Sequence, residues 1–150
     1  MFVDNLIGSI IGLRRPTVND LIKIHKDILL SDGVLDNAQE NEYLTLKNDE
    51  KTIYWVVSSI DKINLLGLVT VFAASTSRAS ISFSLVNNHS NKETLTELIV
   101  LVTNYLQYKK RIISVTVAIP KDNKIMNNIV EKLDFTLTNN EDNVYELNFL

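Results

Sequence analysis

The chain has 150 residues, 45% of them hydrophobic and 22% charged, a composition that is typical of a globular domain and excludes a disordered or fibrous chain. This length suits one domain over residues 1–150. A net charge of -3 excludes a general nucleic-acid-binding role, and the absence of cysteine excludes disulfides and thiol chemistry.

No targeting segment, membrane span or metal site is expected. The apolar stretch Leu6–Leu13 has no basic segment before it and no cleavage site after it, so we interpret it as a lead-in segment and first strand. No apolar run approaches the about 18 residues that a membrane helix needs. The two histidines, His25 and His89, lie far apart in the sequence. We therefore expect a cytoplasmic protein without membrane, nucleic-acid or metal partners.

The first elements in chain order are a strand and a helix. The strand covers Ile10–Arg14 and is stopped by Pro16. Thr17, with Asp20 three residues later, forms a capping-box pattern that opens a helix. A second, shorter helix is predicted at Asp36–Leu46.

Three strands are predicted next. Thr52–Ser59 alternates between two faces, and Leu65–Ala74 is apolar on both faces, as a central strand should be. Ala79–Val86 alternates apolar residues with serines. Since short polar turns join the three runs, we predict a meander.

The period becomes helical after Asn91. Five apolar residues fall on one stripe of this helix: Leu95, Leu98, Ile99, Val102 and Leu106. A strand around Val115, closed by Pro120, and a short amphipathic helix around Ile129 follow. The last two elements are strands: Phe135–Asn139 and Val144–Phe149.

The predicted order is β-α-α-β-β-β-α-β-α-β-β, which belongs to the α/β (α+β) class. We expect an open mixed sheet of about seven strands with helices on both faces. The strand–helix–strand crossover should join parallel strands in a right-handed sense.

This order resembles the GNAT superfamily of acyl-CoA-dependent N-acyltransferases over nearly the whole chain. The opening "GLRRPTVNDLIKI" is similar to the family's first strand and helix. "ISFSLVNNHSNKETLTEL" is similar to the fourth strand, phosphate loop and third helix of the ribosomal-protein N-terminal acetyltransferase branch, including the pair Thr96-Glu97. In "RIISVTVAIPKDNKIMNNIVEKLDF", Asn123 precedes a helix whose end, Glu131–Phe135, is similar to the family's E-K-L-G-F.

The resemblance implies that acetyl-CoA, or another acyl-CoA, binds where the family's fourth and fifth strands part. The pyrophosphate would lie on N–H groups at the start of the next helix, where unpaired donors and the helix dipole attract anions. The acyl group would pass to a primary amine of a small molecule, a protein N-terminus or a lysine. The implied cofactor-binding residues are Leu85, Val86, Ser90, Asn91, Lys92, Glu93, Thr94, Leu95 and Asn123.

The cofactor loop departs from the family pattern R/Q-x-x-G-x-G/A. The conserved positions of that pattern are occupied here by Ser90, Glu93 and Leu95. Glu93 would therefore place a bulky, negatively charged side chain beside the pyrophosphate. Lys92 would partly compensate. Ser90-x-x-Glu93 also has the form of a capping box, which would occupy amide donors that a pyrophosphate needs.

The catalytic positions depart as well. Val130 stands where the family often has a tyrosine that acts as an acid. Ser80 stands where the branch commonly has a carboxylate on its fourth strand. Tyr105 and Tyr108 are interpreted as packing or surface residues, so no catalytic residue is assigned.

Two functions therefore stay open, with a binding domain of unrelated fold as a third and weaker reading. One is an active N-acyltransferase, and the other is a catalytically inactive GNAT-like module that acts in protein–protein binding or assembly. The alternating strand Tyr145–Phe149 is a candidate sheet edge for pairing in a homodimer.

Overall fold

The computed structural model describes residues 5–17, 19–20, 51–61, 64–85 and 91–149. These residues form eight strands and two helices, in the order β1 (Leu6–Ile7), β2 (Ile11–Arg14), β3 (Thr52–Ser59), β4 (Leu65–Ala73), β5 (Arg78–Leu85), α1 (Lys92–Tyr108), β6 (Ser114–Ala118), α2 (Lys124–Lys132), β7 (Thr136–Asn139) and β8 (Val144–Asn148). The predicted helix body after Asp20 and the predicted helix Asp36–Leu46 lie outside the described residues.

All eight strands belong to one mixed sheet, in the order β1-β2-β3-β4-β5-β6-β8-β7. The meander β3–β4–β5 is antiparallel, as predicted, and β5 pairs with β6 in parallel across the α1 crossover. The strand beyond the expected seven is β1, which lies in the stretch Leu6–Leu13 and pairs with β2.

Helices α1 and α2 pack on the same face of the sheet. The predicted apolar stripe of α1 is buried and contacts the odd-numbered residues of β3, β4 and β5. Trp55 of β3 meets Tyr105 of α1 edge to face, with ring centroids 5.2 Å apart, a favourable aromatic geometry. The assignment of Tyr105 to packing is therefore confirmed. We call this side of the sheet the helix face. We call the opposite side the open face, because it is exposed at Ser80 and Ser82 of β5, although it is buried at Val56 and Ser58 of β3.

A second apolar cluster lies between α1, α2 and the last strands. Leu95 and Ile99 of α1 contact Met126, Ile129 and Val130 of α2 above Val117 of β6. These contacts explain the hydrophobic periodicity of both helices. Helix α1 follows β5 and helix α2 follows β6, and because these strands are parallel, both helices begin at the same end of the sheet.

The capping box predicted at Thr17 is present. The Asp20 amide donates to the Thr17 hydroxyl at 3.2 Å, and the Thr17 amide donates to the Asp20 carboxylate at 2.9 Å. Arg14 also donates to Asp20 through both terminal nitrogens, at 2.6 and 2.9 Å. Burial alone would raise the pKa of Asp20, but the hydrogen bonds from Arg14 and Thr17 outweigh it and lower that pKa.

The predicted pairing edge at Tyr145–Phe149 is wrong. Strand β8 lies between β6 and β7 and pairs with both of them, so β7 forms this edge of the sheet. The physical reason is topological: β7 folds back outside β8, and the order of strands along the chain does not determine their order in the sheet.

Candidate functional site

The parallel strands β5 and β6 part before either of them ends. Their ladder joins Arg78–Ile81 to Ser114–Val117, yet β5 continues to Leu85. Ala118 of β6 still pairs with β8. Beyond Ile81, the backbone of β5 therefore pairs with β4 alone, and an opening with its apex at Ile81 and Val117 faces the starts of α1 and α2.

Asn91 caps the start of α1. Its extended backbone, with φ -84° and ψ 161°, places the side-chain oxygen to accept from the Thr94 amide at 2.8 Å. The Leu95 amide donates to the Asn91 carbonyl at 3.0 Å. The amides of Lys92 and Glu93 donate to no acceptor among the described residues. Within the described part of the chain, the first turn of helix α1 therefore has unpaired donors.

The predicted capping box Ser90-x-x-Glu93 is wrong, because the helix begins one residue later than that box requires. Asn and Ser cap helices about equally well, so the tandem Ser90-Asn91 left the choice open in the sequence. Glu93 instead occupies the second helical position with an exposed side chain.

The remaining implied cofactor residues are distributed as follows. Leu85 ends β5 opposite Gly67 of β4, and Val86–Ser90 lie outside the described residues. Thr94 and Leu95 are only 5% and 1% exposed, so their side chains belong to the core rather than to a binding surface. Lys92 is exposed at the first helical position.

Lys92 of α1 lies beside Lys132 of α2. The pKa of Lys132 is lowered, because a hydrogen bond from the Lys92 ammonium favours the neutral amine of Lys132 and because the two ammonium charges repel each other. Both lysines are exposed and stand near the positive end of the α1 dipole. Positive charge from these two lysines near the start of α1 would stabilise an anion there.

Asn123 caps α2 and accepts from the Met126 amide at 3.2 Å, with its own side chain exposed. One turn later, Asn127 joins three parts of the chain. Its amide nitrogen donates to the carbonyls of Pro120 and Asn123, at 3.1 and 2.7 Å. Its amide oxygen accepts from Asn143 at 2.8 Å and from the Tyr145 hydroxyl at 2.7 Å. These bonds hold the loop after β6 and the start of α2 against β8.

The sequence reasoning missed this network. Its only signal was the presence of polar residues, Asn127 and Tyr145, within apolar patterns. Burial raises the pKa of Tyr145, and the neighbouring Glu131 carboxylate raises it further. The phenol therefore stays protonated and keeps its role as a donor.

The family's catalytic positions hold no acid or base in this chain. Val130 is fully buried in the cluster beneath α2. Ser80 is exposed on the open face, and its hydroxyl lies 3.0 Å from that of Thr116. Tyr108 is 73% exposed, which confirms its assignment to the surface. The described part of the chain contains no cluster of acidic or histidine residues that could hold a metal, and none of its helices could cross a membrane.

Glu97, the second residue of the pair Thr96-Glu97, contacts a distant turn of the chain. Its carboxylate accepts from the amides of Ser9 and Ile10 in the turn between β1 and β2. A side chain at Gly8 would collide with this carboxylate. Glu97 thus fixes the turn to α1 at the end of the sheet where β5 and β6 part.

Comparisons with known proteins agree with this geometry. A family profile described as an acetyltransferase (GNAT) domain matches residues 11–136. The search of curated protein sequences found no match. Among solved structures, a GNAT-family acetyltransferase from Bacillus anthracis is similar with a TM-score of 0.75 and 12% identity, over 97% of this chain and 98% of that chain.

Two further structures are similar at comparable levels. The dodecameric spermidine N-acetyltransferase from Vibrio cholerae has a TM-score of 0.74 and 17% identity, over 92% of this chain and 93% of that chain. RimJ from Mycobacterium smegmatis, solved with CoA-disulfide, has a TM-score of 0.74 and 10% identity, over 97% of this chain and 88% of that chain. At such identities the similarity establishes the fold alone.

Proposed function

We propose that this chain, which belongs to the GNAT family of acetyltransferases, transfers an acetyl group from acetyl-CoA to the primary amine of a small molecule, a protein N-terminus or a lysine. The observation that carries the proposal is the parting of β5 and β6 opposite a helix start with unpaired amide donors.

The donor set fits the anionic part of CoA. The free amides of Lys92 and Glu93 offer two N–H groups at the positive end of a helix dipole, as anion sites at helix starts do. The ammonium groups of Lys92 and Lys132 add positive charge there. The backbone of β5 beyond Ile81 supplies the hydrogen-bonding edge that an extended pantetheine arm needs.

Glu93 opposes this binding, because its exposed carboxylate stands in the same turn as the donors. Two unit charges 5 Å apart in water interact by about 0.8 kcal/mol. The two lysines outnumber this single carboxylate, so the local balance still favours an anion.

When bound, acetyl-CoA would supply the thioester carbonyl that an amine attacks. The residues of the chain would contribute position rather than a fixed acid, since Val130 is buried and apolar. Holding two reactants in a productive geometry can lower a barrier by about 7–11 kcal/mol. Asn127 supports this role because it fixes the start of α2 beside the opening.

The alternative of an inactive binding module was based on the capping box Ser90-x-x-Glu93 and on Val130 and Ser80 at the family's catalytic positions. Asn91 rather than Ser90 is the N-cap of α1, so this box does not cap the helix. Val130 and Ser80 supply no acid or base, but the comparisons give no support to an inactive module, and we do not propose it.

The decisive experiment is a calorimetric titration with CoA and acetyl-CoA. We expect binding in the micromolar range, weakened about tenfold by Lys92→Ala or Lys132→Ala and strengthened about threefold by Glu93→Gln. Lys109→Ala, at the opposite end of α1, is the matched control and should leave binding unchanged. Absence of binding at millimolar CoA would refute the proposal.

A further inference from the structure

A row of hydroxyl groups crosses the open face at the apex of the opening. Ser80 of β5 lies opposite Thr116 of β6, and their hydroxyl oxygens are 3.0 Å apart. Thr116 lies opposite Glu146 of β8, which in turn lies opposite Thr136 of β7. Directly opposed residues share a face of a sheet, so these four side chains form one row.

The reacting amine has access to the apex from this side. On the helix face, the apex is closed by Ile81 and Val117, which are buried beneath the helices. On the open face, Ser80 and Ser82 are exposed. If the pantetheine arm of acetyl-CoA bound along β5 beyond Ile81, its thioester end would lie near this row. The reason is that Ser80 and Thr116 directly precede the last paired residues of β5 and β6.

Glu146 is distinctive within this row. It is the only carboxylate on the open face of the strands that the structure describes. Its side chain is half-buried and has no hydrogen-bond or ion-pair partner among the described residues. Adjacent strands are about 4.8 Å apart, so the backbone of Glu146 lies about 10 Å from that of Ser80.

We propose that Glu146 determines acceptor specificity by binding a second ammonium group of the acceptor amine. The inference rests on the proposed function, because it takes the apex as the position of the reacting nitrogen. A carboxylate that has no partner among the described residues and lies between one and two strand spacings from the apex suits a diamine or polyamine. The hydroxyl pair Ser80–Thr116 lies between the two positions and is uncharged. Glu146 is thus a specificity residue that stands outside the cofactor site.

The test compares 1,4-diaminobutane with n-butylamine, which have the same carbon chain and differ in the second ammonium. Acetyl transfer is followed by the release of CoA thiol, and amine binding is measured separately by calorimetry. Glu146→Gln should raise KM and Kd for the diamine about ten- to hundredfold and leave those for butylamine unchanged. Glu141→Gln, which changes an exposed carboxylate in the turn between β7 and β8, is the matched control.

The outcomes separate this inference from the proposed function. If Glu146→Gln leaves the ratio of diamine to butylamine unchanged, the inference is wrong even when CoA binds normally. A wild-type chain that binds CoA but shows no preference for the diamine would also overturn it. Failure to bind CoA would refute the proposed function, and the inference would fall with it. Because the substitution is isosteric and on the surface, CoA affinity and the unfolding temperature should be unchanged, which tests that the variant is folded.

Discussion

The end of α2 contains a left-handed residue where the family pattern has glycine. Asp134 has φ 70°, directly after the C-cap residue Leu133. The Phe135 amide donates to the Val130 carbonyl at 2.9 Å, and the Asp134 amide donates to the Glu131 carbonyl at 3.2 Å. These two bonds form a Schellman motif, whose left-handed position favours glycine. We therefore expect Asp134→Gly to stabilise the chain.

The magnitude follows from three terms. A residue with a Cβ in the left-handed region costs about 1–2 kcal/mol, while glycine loses about 0.5–1 kcal/mol more backbone entropy on folding. Removing a carboxylate from the negative end of the helix dipole adds about 0.3 kcal/mol at an exposed site. The net gain is about 1 kcal/mol, which raises Tm by about 2–4 °C in a chain of this size.

Differential scanning calorimetry of matched variants separates these terms. Asp134→Asn removes the charge and keeps a side chain that tolerates positive φ, so it should recover only the dipole contribution. Arg111→Gly, at φ 56°, should stabilise to a similar extent. Lys132→Gly, at the last residue of the helix, should instead lower stability, because glycine has the lower helix propensity. An Asp134→Gly variant no more stable than Asp134→Asn would refute the assignment of strain to the backbone.

Three further predictions concern the contacts around the site. Glu97→Gln weakens the bonds from the amides of Ser9 and Ile10 and should lower stability by about 1 kcal/mol in urea unfolding, whereas Glu141→Gln should not. Tyr145→Phe removes the hydroxyl that donates to Asn127 and should cost about 1–2 kcal/mol, with the exposed Tyr108→Phe as the neutral control. The pKa of Asp20 is lowered in the folded state, so its contribution is complete above the ordinary carboxyl pKa of about 4 and is lost as the pH falls through the folded value. The stability difference between wild type and Arg14→Gln should therefore shrink below about pH 4, and a difference independent of pH would contradict the assignment.

The elements that the sequence predicted well are those defined by local periodicity. Thr52–Ser59 has the bounds expected from its alternation, and the five apolar residues of α1 are all buried. The Thr17 box was predictable because its two partners lie three residues apart. In each case, the residues that form the pattern lie close together in the sequence.

The wrong or missed features depend on contacts that periodicity does not encode. Both Ser90 and Asn91 suit an N-cap, and the choice between them depends on where α1 packs. The position of β8 inside the sheet depends on β7 folding back outside it. Asn127 reaches Asn143 and Tyr145 across 16 and 18 residues of chain, and no local pattern marks such partners.

Under the proposed function, the loss of the loop glycines does not remove the amide donors at the start of α1. A glycine pattern marks a site because it lets backbone approach phosphate, and the groups that bind are the amides themselves. Those amides persist at Lys92 and Glu93 without the glycines, since Asn91 takes only the Thr94 amide with its side chain. What the substitutions change is the charge around the donors: Glu93 subtracts from it, while Lys92 and Lys132 add to it. Whether this family member binds CoA is therefore a question of electrostatic balance, which is why charge-changing variants, rather than restored glycines, test it most directly.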